Sequence, residues 1–301
     1  MSDDVRAGFC AIVGLPNVGK STLLNRVLGK KLVAVSAKPQ TTRDRIVGVH
    51  VVEHDGARTQ IAYVDTPGLQ DGRGPLRRYM REAALAAAAD ADVVLMLLDA
   101  TDRKGRMPGQ DEIAQLAVPN KPLVVALNKV DRVAKPELLP VIEAWTKSNA
   151  DLEIVPISAA TGDNVDALER VIAHKLPASP LLFPEDMITD RSPQFIAQEI
   201  IREQLYHQLG KELPYASAVQ VESWTERKGE LVIGAVIVVE RESQKPIVVG
   251  KGGHRVKELG IAARTALADA LGKTVHLTLF VKVIGEWSQA ASELAKLGYT
   301  S

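Results

Sequence analysis

Residues able to do chemistry appear early in the chain. Gly14-Leu15-Pro16-Asn17-Val18-Gly19-Lys20-Ser21 matches the phosphate-loop pattern G-x-x-x-x-G-K-[ST]. Gly14 and Gly19 let the backbone curl so that its N–H groups face phosphate oxygens. Lys20 supplies positive charge at the β and γ phosphates, and the Ser21 hydroxyl reaches Mg2+. Asn17, Val18 and Thr22 belong to the same nucleotide-binding stretch. Asp65-Thr66-Pro67-Gly68 follows an apolar run, where an aspartate at a strand tip can hold a metal-bound water and a glycine N–H can approach a γ-phosphate. Asn128-Lys129-Val130-Asp131 explains base choice. The Asp131 carboxylate only accepts hydrogen bonds, and guanine offers N1–H and a 2-amino group where adenine has no matching donors. Ser158-Ala159 adds a backbone contact to the base.

These residues need strand ends and loops to present them. Apolar β-rich runs at Phe9–Val13, Ile46–Glu53, Gln60–Val64, Val93–Leu98, Leu123–Leu127 and Ile154–Ile157 alternate with helical patterns near Ser21–Leu28, Leu76–Ala88, Gln110–Ala117, Glu137–Thr146 and Val165–His174. That order predicts an α/β fold, a mainly parallel sheet wrapped by helices, with ligands beyond the carboxyl ends of the strands. The Ala-rich run Ala83–Ala91 reads as close helix packing.

The 301 residues suffice for two domains. Pro177, Pro180 and Pro184 mark an extended linker, so the expected division is 1–176, a linker at 177–190, and a second module at 191–301. Lysine plus arginine equals aspartate plus glutamate at 37 each, and from Pro177 onward there are 14 basic and 15 acidic residues. Neither half has the bulk field of a nonspecific polyanion binder, so any nucleic acid must be held by a local patch. Cys10 is the single cysteine, which excludes an internal disulfide and points to a reducing, cytoplasmic setting. The apolar stretches are too short for a membrane span.

The second module reads α-β-β-α-α-β. An amphipathic helix carries Ile196, Ile200, Leu205 and Leu209, strands follow at Ser217–Ser223 and Leu231–Val239, and a turn at Gly250–Gly253 precedes a helix with Leu259, Ala263, Leu267 and Leu271 four apart. The last strand is Val275–Val283. Gly250-Lys251-Gly252-Gly253 forms a G-x-x-G loop of the kind that lets a nucleic-acid backbone lie against helix ends, and Lys251, Arg255 and Lys257 are the candidate phosphate contacts; the structural alternative is a solvated charged face. His207 and His276 read as ordinary helix and strand residues.

The chain resembles the Era-type GTPases, with Gly14–Ser21, Gln40-Thr41-Thr42-Arg43, Asp65–Gly68, Asn128–Asp131 and Ser158-Ala159 in the family's places, and the similarity extends through Phe183-Pro184-Glu185-Asp186 and the helix beyond. The second module resembles a type II KH domain, an α+β fold. This resemblance implies a GTP-binding, GTP-hydrolysing protein that uses Mg2+. Its metal ligands would be Ser21, Thr42 and Asp65, and its catalytic set Lys20, Thr42, Asp65 and Gly68. It also implies binding of the 3′ end region of small-subunit (16S) rRNA, a role in small ribosomal subunit biogenesis, and peripheral contact with the inner face of the cell membrane by a monomer. Asn17 resembles the phosphate-loop asparagine of relatives that bind K+, and it equally suits a simple turn. Leu69 stands where Ras has the glutamine that orients water, which implies slow turnover without an activator. Two other readings remain at this stage: a KH-like module that docks protein partners, and a protein that holds GTP without turnover.

Overall fold

The computed structural model describes residues 5–36, 38, 40–54, 56–68, 74–102, 121–148, 152–210 and 213–299. By their contacts they group into two compact units. The first comprises Met1–Gly29, Thr42–Gln70 and Met80–Asp190, and the second Lys30–Thr41, Asp71–Tyr79 and Arg191–Ser301.

The first unit is built on a six-stranded sheet: β1 (Arg6–Val13), β2 (Ile46–His54), β3 (Ala57–Asp65), β4 (Val93–Asp99), β5 (Leu123–Asn128) and β6 (Glu153–Pro156), in the order β2-β3-β1-β4-β5-β6. β2 runs antiparallel to β3, while β3, β1, β4, β5 and β6 are mutually parallel. Strands buried on both faces read as continuous apolar runs rather than alternating ones, and Val93–Leu98 is buried throughout. The helices are α1 (Lys20–Val27), α2 (Pro75–Asp90, of which Met80 onward belongs to this unit), α3 (Lys135–Ser148) and α4 (Val165–Lys175). In α2, Ala84, Ala87 and Ala88 are buried, as close packing requires. The helix expected at Gln110–Ala117 lies outside the described residues.

Because β1 is flanked by β3 and β4, strand order reverses around it, and the loop after β1 sits at the sheet's topological switch point. Parallel pairing then puts the ends of β3, β4, β5 and β6 on the same edge.

The second unit contains α5 (Pro193–Gln208), β7 (Ser217–Arg227), β8 (Glu230–Val239), α6 (Lys245–Val249), α7 (His254–Leu271), β9 (Val275–Val283) and α8 (Ala291–Lys296). Ser192 caps α5 by accepting the Phe195 N–H at 3.2 Å, with Pro193 at the first helical position. β7 pairs antiparallel with β8, and β8 parallel with β9. Ile200, Ile201 and Leu205 of α5 and Leu259, Ala263 and Leu267 of α7 pack against Ile233, Ala235 and Ile237 of β8. Two differences from the sequence expectation concern lengths. β7 continues past Ser223 because a bulge between Val221 and Ser223 lets the charged stretch to Arg227 stay paired, and α8 follows the last strand.

The stretch Lys30–Thr41 lies along α5. Val35 N–H donates to Glu203 Oε1 at 3.2 Å, Lys31 pairs with Glu203 at 2.5 Å, and Tyr206 donates its hydroxyl to Gln40 O at 3.1 Å. The Lys38 ammonium donates to the carbonyls of Tyr206 and Leu209, where a helix end favours positive charge. Buried Arg202 holds Glu199 with two hydrogen bonds and gives a third to Thr41 O. Burial works against its charge, but Glu199 beside it holds the guanidinium above its ordinary pKa.

Candidate functional site

The loop between β1 and α1 is shaped by close approach. Gly19 has φ 105°, and a Cβ there would stand 2.2 Å from Asn128 Nδ2, so only glycine fits. Lys20 is buried and folds back over the loop, its ammonium donating to Gly14 O and Leu15 O at 3.0 Å each. Burial pushes this ammonium down to about 8, while the charge of Asp65 works the other way. Asn17 adopts φ 64°, a left-handed conformation that asparagine tolerates, so its turn role is visible in the backbone. Val18 is buried and offers its carbonyl to Asn128; Thr22 sits in the first turn of α1.

Three oxygens from distant parts of the chain converge beside Lys20. Ser21 Oγ lies 2.7 Å from Thr42 Oγ1 and donates to Asp65 Oδ2 at 2.7 Å, while Thr42 Oγ1 approaches the same Oδ2 at 3.3 Å. Two hydroxyls and one carboxylate are hard oxygen donors, the set that suits Mg2+ completed by water and phosphate. The residues therefore fit the metal that the sequence implies. Thr66 fastens the β3 exit by donating to Ile12 O at 2.8 Å, and Gly68 passes so near the phosphate loop that a Cβ would meet Pro16 Cγ at 2.8 Å. Leu69 falls outside the described residues.

The base-reading residues are tied to the same loop. Asn128 Nδ2 donates to Val18 O at 2.7 Å, and its Oδ1 accepts the Ala159 N–H at 2.9 Å, so one side chain joins two loops. Lys129 donates to Asn17 O at 2.6 Å and pairs with Asp99 at 2.5 Å. Burial tends to raise the Asp99 pKa, but Lys129 and Thr101 together hold it below the usual carboxylate value. Ser158 Oγ donates to Asp131 Oδ1 at 2.7 Å, orienting the carboxylate and leaving its remaining lone pairs for donors such as those of guanine. Asp99 was missed by the sequence reading; its signal is a carboxylate closing an apolar strand.

In the second unit, the Gly250–Gly253 turn joins α6 to α7, with Lys251, Gly252, Arg255 and Lys257 exposed. Arg255 donates to Ile247 O at 2.6 Å, and a Cβ on Gly250 would meet Arg255 Cβ at 2.8 Å. Arg255 thus fastens α6 as well as facing solvent. Beside the turn, Val256, Lys257, Gly260, Ile261, Arg264 and Leu279 line part of a groove of about 320 Å³. Ile261 is 50% exposed, so an apolar floor stays open to solvent beside the cations. Sequence reasoning missed Ile261 and Arg264 because the four-apart apolar spacing of α7 points only to its core face.

Comparison with known proteins follows the same division. A family model described as 50S ribosome-binding GTPase matches residues 9–129, and one described as KH domain matches residues 212–288. The chain is 47% identical over 303 residues to GTPase Era of Geobacter metallireducens, covering 100% of both. It is 44% identical over 307 residues to GTPase Era of Pseudomonas aeruginosa, covering 99% of this chain and 98% of the relative. Among solved structures, a variant of Aquifex aeolicus Era bound to GDP·AlF4− superimposes with a TM-score of 0.92 at 40% identity, over 98% of this chain and 100% of that one. Era in complex with MgGDPNP and nucleotides 1506–1542 of 16S ribosomal RNA gives 0.92 at 40% identity, over 99% and 100%.

Proposed function

This chain belongs to the Era family of GTPases, and we propose that it serves small ribosomal subunit biogenesis, holding the 3′ end region of 16S rRNA while the phosphate-loop domain turns over GTP. It is a GTPase that works with Mg2+ and binds 16S rRNA through its KH domain. The single observation behind the nucleotide half is the meeting of Ser21, Thr42 and Asp65 oxygens beside buried Lys20. The functional division follows 1–176 for GTP, 177–190 as linker and 191–301 for RNA, in a monomer of the cytoplasm. Peripheral contact with the membrane's inner face is part of the same reading; no helix among the described residues is long and apolar enough to cross a bilayer.

Each side chain has a task in this reading. Lys20 carries charge to the β and γ phosphates, and the backbone N–H groups of Gly14 to Ser21 cradle them. Ser21, Thr42 and Asp65 would hold Mg2+ directly or through water, and the charge it would supply there is neutralisation of the phosphates. The Gly68 N–H faces the γ-phosphate. Asp131 accepts from guanine, and Asn128 and Ala159 keep the base loop against the phosphate loop. Leu69 has no group to orient water, so hydrolysis by the lone protein is slow.

Stretch Lys30–Thr41 supports a route from nucleotide to RNA. Arg202 of the RNA-binding unit holds Thr41 O, and the next residue, Thr42, is one of the metal-site hydroxyls. A Thr42 that engages Mg2+ in the GTP form and releases it in the GDP form would change the strain on that held carbonyl, giving the differential affinity that a switch requires.

On the RNA side, Lys251, Lys257 and Arg264 meet the backbone and the apolar groove receives bases. Lys251→Glu combined with Lys257→Glu tests this without disturbing the Arg255 contact to α6. Retention of a single-stranded 16S 3′ fragment should fall sharply, GDP affinity should stay unchanged, and the salt dependence of any residual binding should flatten. Full RNA retention by this variant would instead favour a KH module that docks protein.

A further inference from the structure

The carboxylate that reads guanine is steadied by Ser158, and Ser158 is steadied from an unexpected place. Arg26, in the last turn of α1, lays its stem beside Gly162, where a Cβ would stand 3.6 Å from Arg26 Cδ. Its guanidinium donates from Nε to Ala159 O at 3.3 Å and from Nη2 to Ala160 O. A trans peptide holds its C=O and the following N–H in opposite directions, so a pinned Ala160 carbonyl aims the Thr161 N–H away from Arg26. That N–H donates to Ser158 Oγ at 3.1 Å, and Ser158 Oγ gives its proton to Asp131 Oδ1 at 2.7 Å. By the same geometry the pinned Ala159 carbonyl aims the Ala160 N–H away from Arg26, while the Ala159 N–H goes to Asn128 Oδ1 at 2.9 Å.

We propose that Arg26 is a positioning residue for guanine selection, acting through the Ala159 and Ala160 carbonyls and the Ser158 hydroxyl on Asp131. The proposal rests on the GTP reading above. Its logic is that Ser158 has one proton to give. With Thr161 N–H occupying an Oγ lone pair, that proton is directed to Oδ1, and the other carboxylate lone pairs face the N1–H and 2-amino group of the base. The planar fork reaches the two adjacent carbonyls from two nitrogens held in fixed relation to each other, a geometry that the single nitrogen of an ammonium reproduces only in part. Arg26 also stands on the helix whose amino end receives the phosphates, so one rigid element aligns phosphate and base.

Arg26 is exposed, and its removal leaves the core intact. The test uses the full chain, its Arg26→Ala and Arg26→Lys variants, and calorimetric titration with GDP, with inosine diphosphate, which lacks the 2-amino group, and with ADP. In Arg26→Ala, GDP binding should weaken by about three- to tenfold and inosine diphosphate binding by less, so the ratio between them shrinks. Arg26→Lys should fall between wild type and Arg26→Ala, and it carries the test should Arg26→Ala fail to fold. Equal losses for both nucleotides, or a wild-type ratio in the variants, would overturn the proposal. Failure of the wild type to prefer GDP over ADP would instead remove the GTP reading beneath it.

Discussion

The hydroxyls of Ser21 and Thr42 stand 2.7 Å apart and both address Asp65 Oδ2, although Ser21 opens a helix, Thr42 lies in a loop and Asp65 ends a strand. Their tasks differ. In the proposed reading Ser21 would serve the metal with either nucleotide, whereas Thr42 would answer to the γ-phosphate. Thr42→Ala should lower the rate of phosphate release by about 10²-fold while leaving GDP affinity near wild type. Ser21→Ala should lose both. Wild-type turnover by Thr42→Ala would remove that residue from the reaction.

Lys20 predicts a pH effect on binding. Its pKa falls from 10.5 to about 8 on burial, so between those values the folded protein carries fewer protons than the unfolded chain, and this group makes stability rise with pH there. Phosphates favour the charged ammonium, so nucleotide binding takes up a proton in that window. GDP affinity, followed by titration from pH 7.5 to about pH 9.5, should weaken by about tenfold or more. Lys20→Met should bind weakly throughout with a flat profile; a profile as steep as wild type would exclude Lys20 as the titrating group.

Asn17 carries a prediction about monovalent ions. We propose that K+ beside the phosphates supplies charge that an arginine finger supplies in other GTPases. Single-turnover phosphate release should then be faster in K+ than in Na+ buffer at equal ionic strength, and Asn17→Ala should abolish the difference. Equal rates in the two buffers would leave Asn17 as the turn residue that its φ of 64° already makes it.

Arg202 is where nucleotide state should reach the RNA module. Replacing it alone would strand Glu199, so the informative variant is Arg202→Met with Glu199→Gln. RNA affinity in the GDP form should change little. The ratio of RNA affinities between the GTP-analogue and GDP forms should fall toward one. An unchanged ratio would mean that coupling bypasses the Arg202 to Thr41 contact.

The legible parts of the sequence share a physical reason. Gly14–Ser21, Asp65–Gly68, Asn128–Asp131 and Ser158 are fixed in spacing because each ends a strand of one parallel sheet, and such strands announce themselves as unbroken apolar runs. What stayed hidden depends on tertiary neighbours. Arg202 and Glu199 read as a charged helix face open to water, yet both are buried because each neutralises the other beneath Lys30–Thr41. Arg26 reads as one more surface cation until the fold brings Ala159 and Ala160 to it. The sequence pattern ends the strand at Ser223, short of charged Glu226 and Arg227, while the backbone pairing continues through the bulge to Arg227. Ile261 and Arg264 escaped notice because periodicity identifies the face of α7 that packs and says nothing of the one that binds.

The claim on which the rest stands is that Asp131 selects guanine. Titration of the nucleotide-free chain in Mg2+ buffer with GDP, ADP and xanthosine diphosphate, repeated on Asp131→Asn, tests it most directly. In wild type, GDP should bind more tightly than ADP by a factor on the order of 10⁴. In Asp131→Asn, whose amide offers a donor to the xanthine 2-oxo group, GDP affinity should collapse and xanthosine diphosphate should become the preferred ligand. Equal binding of GDP and ADP by the folded wild-type chain, or an Asp131→Asn variant with unaltered preference, would contradict the account.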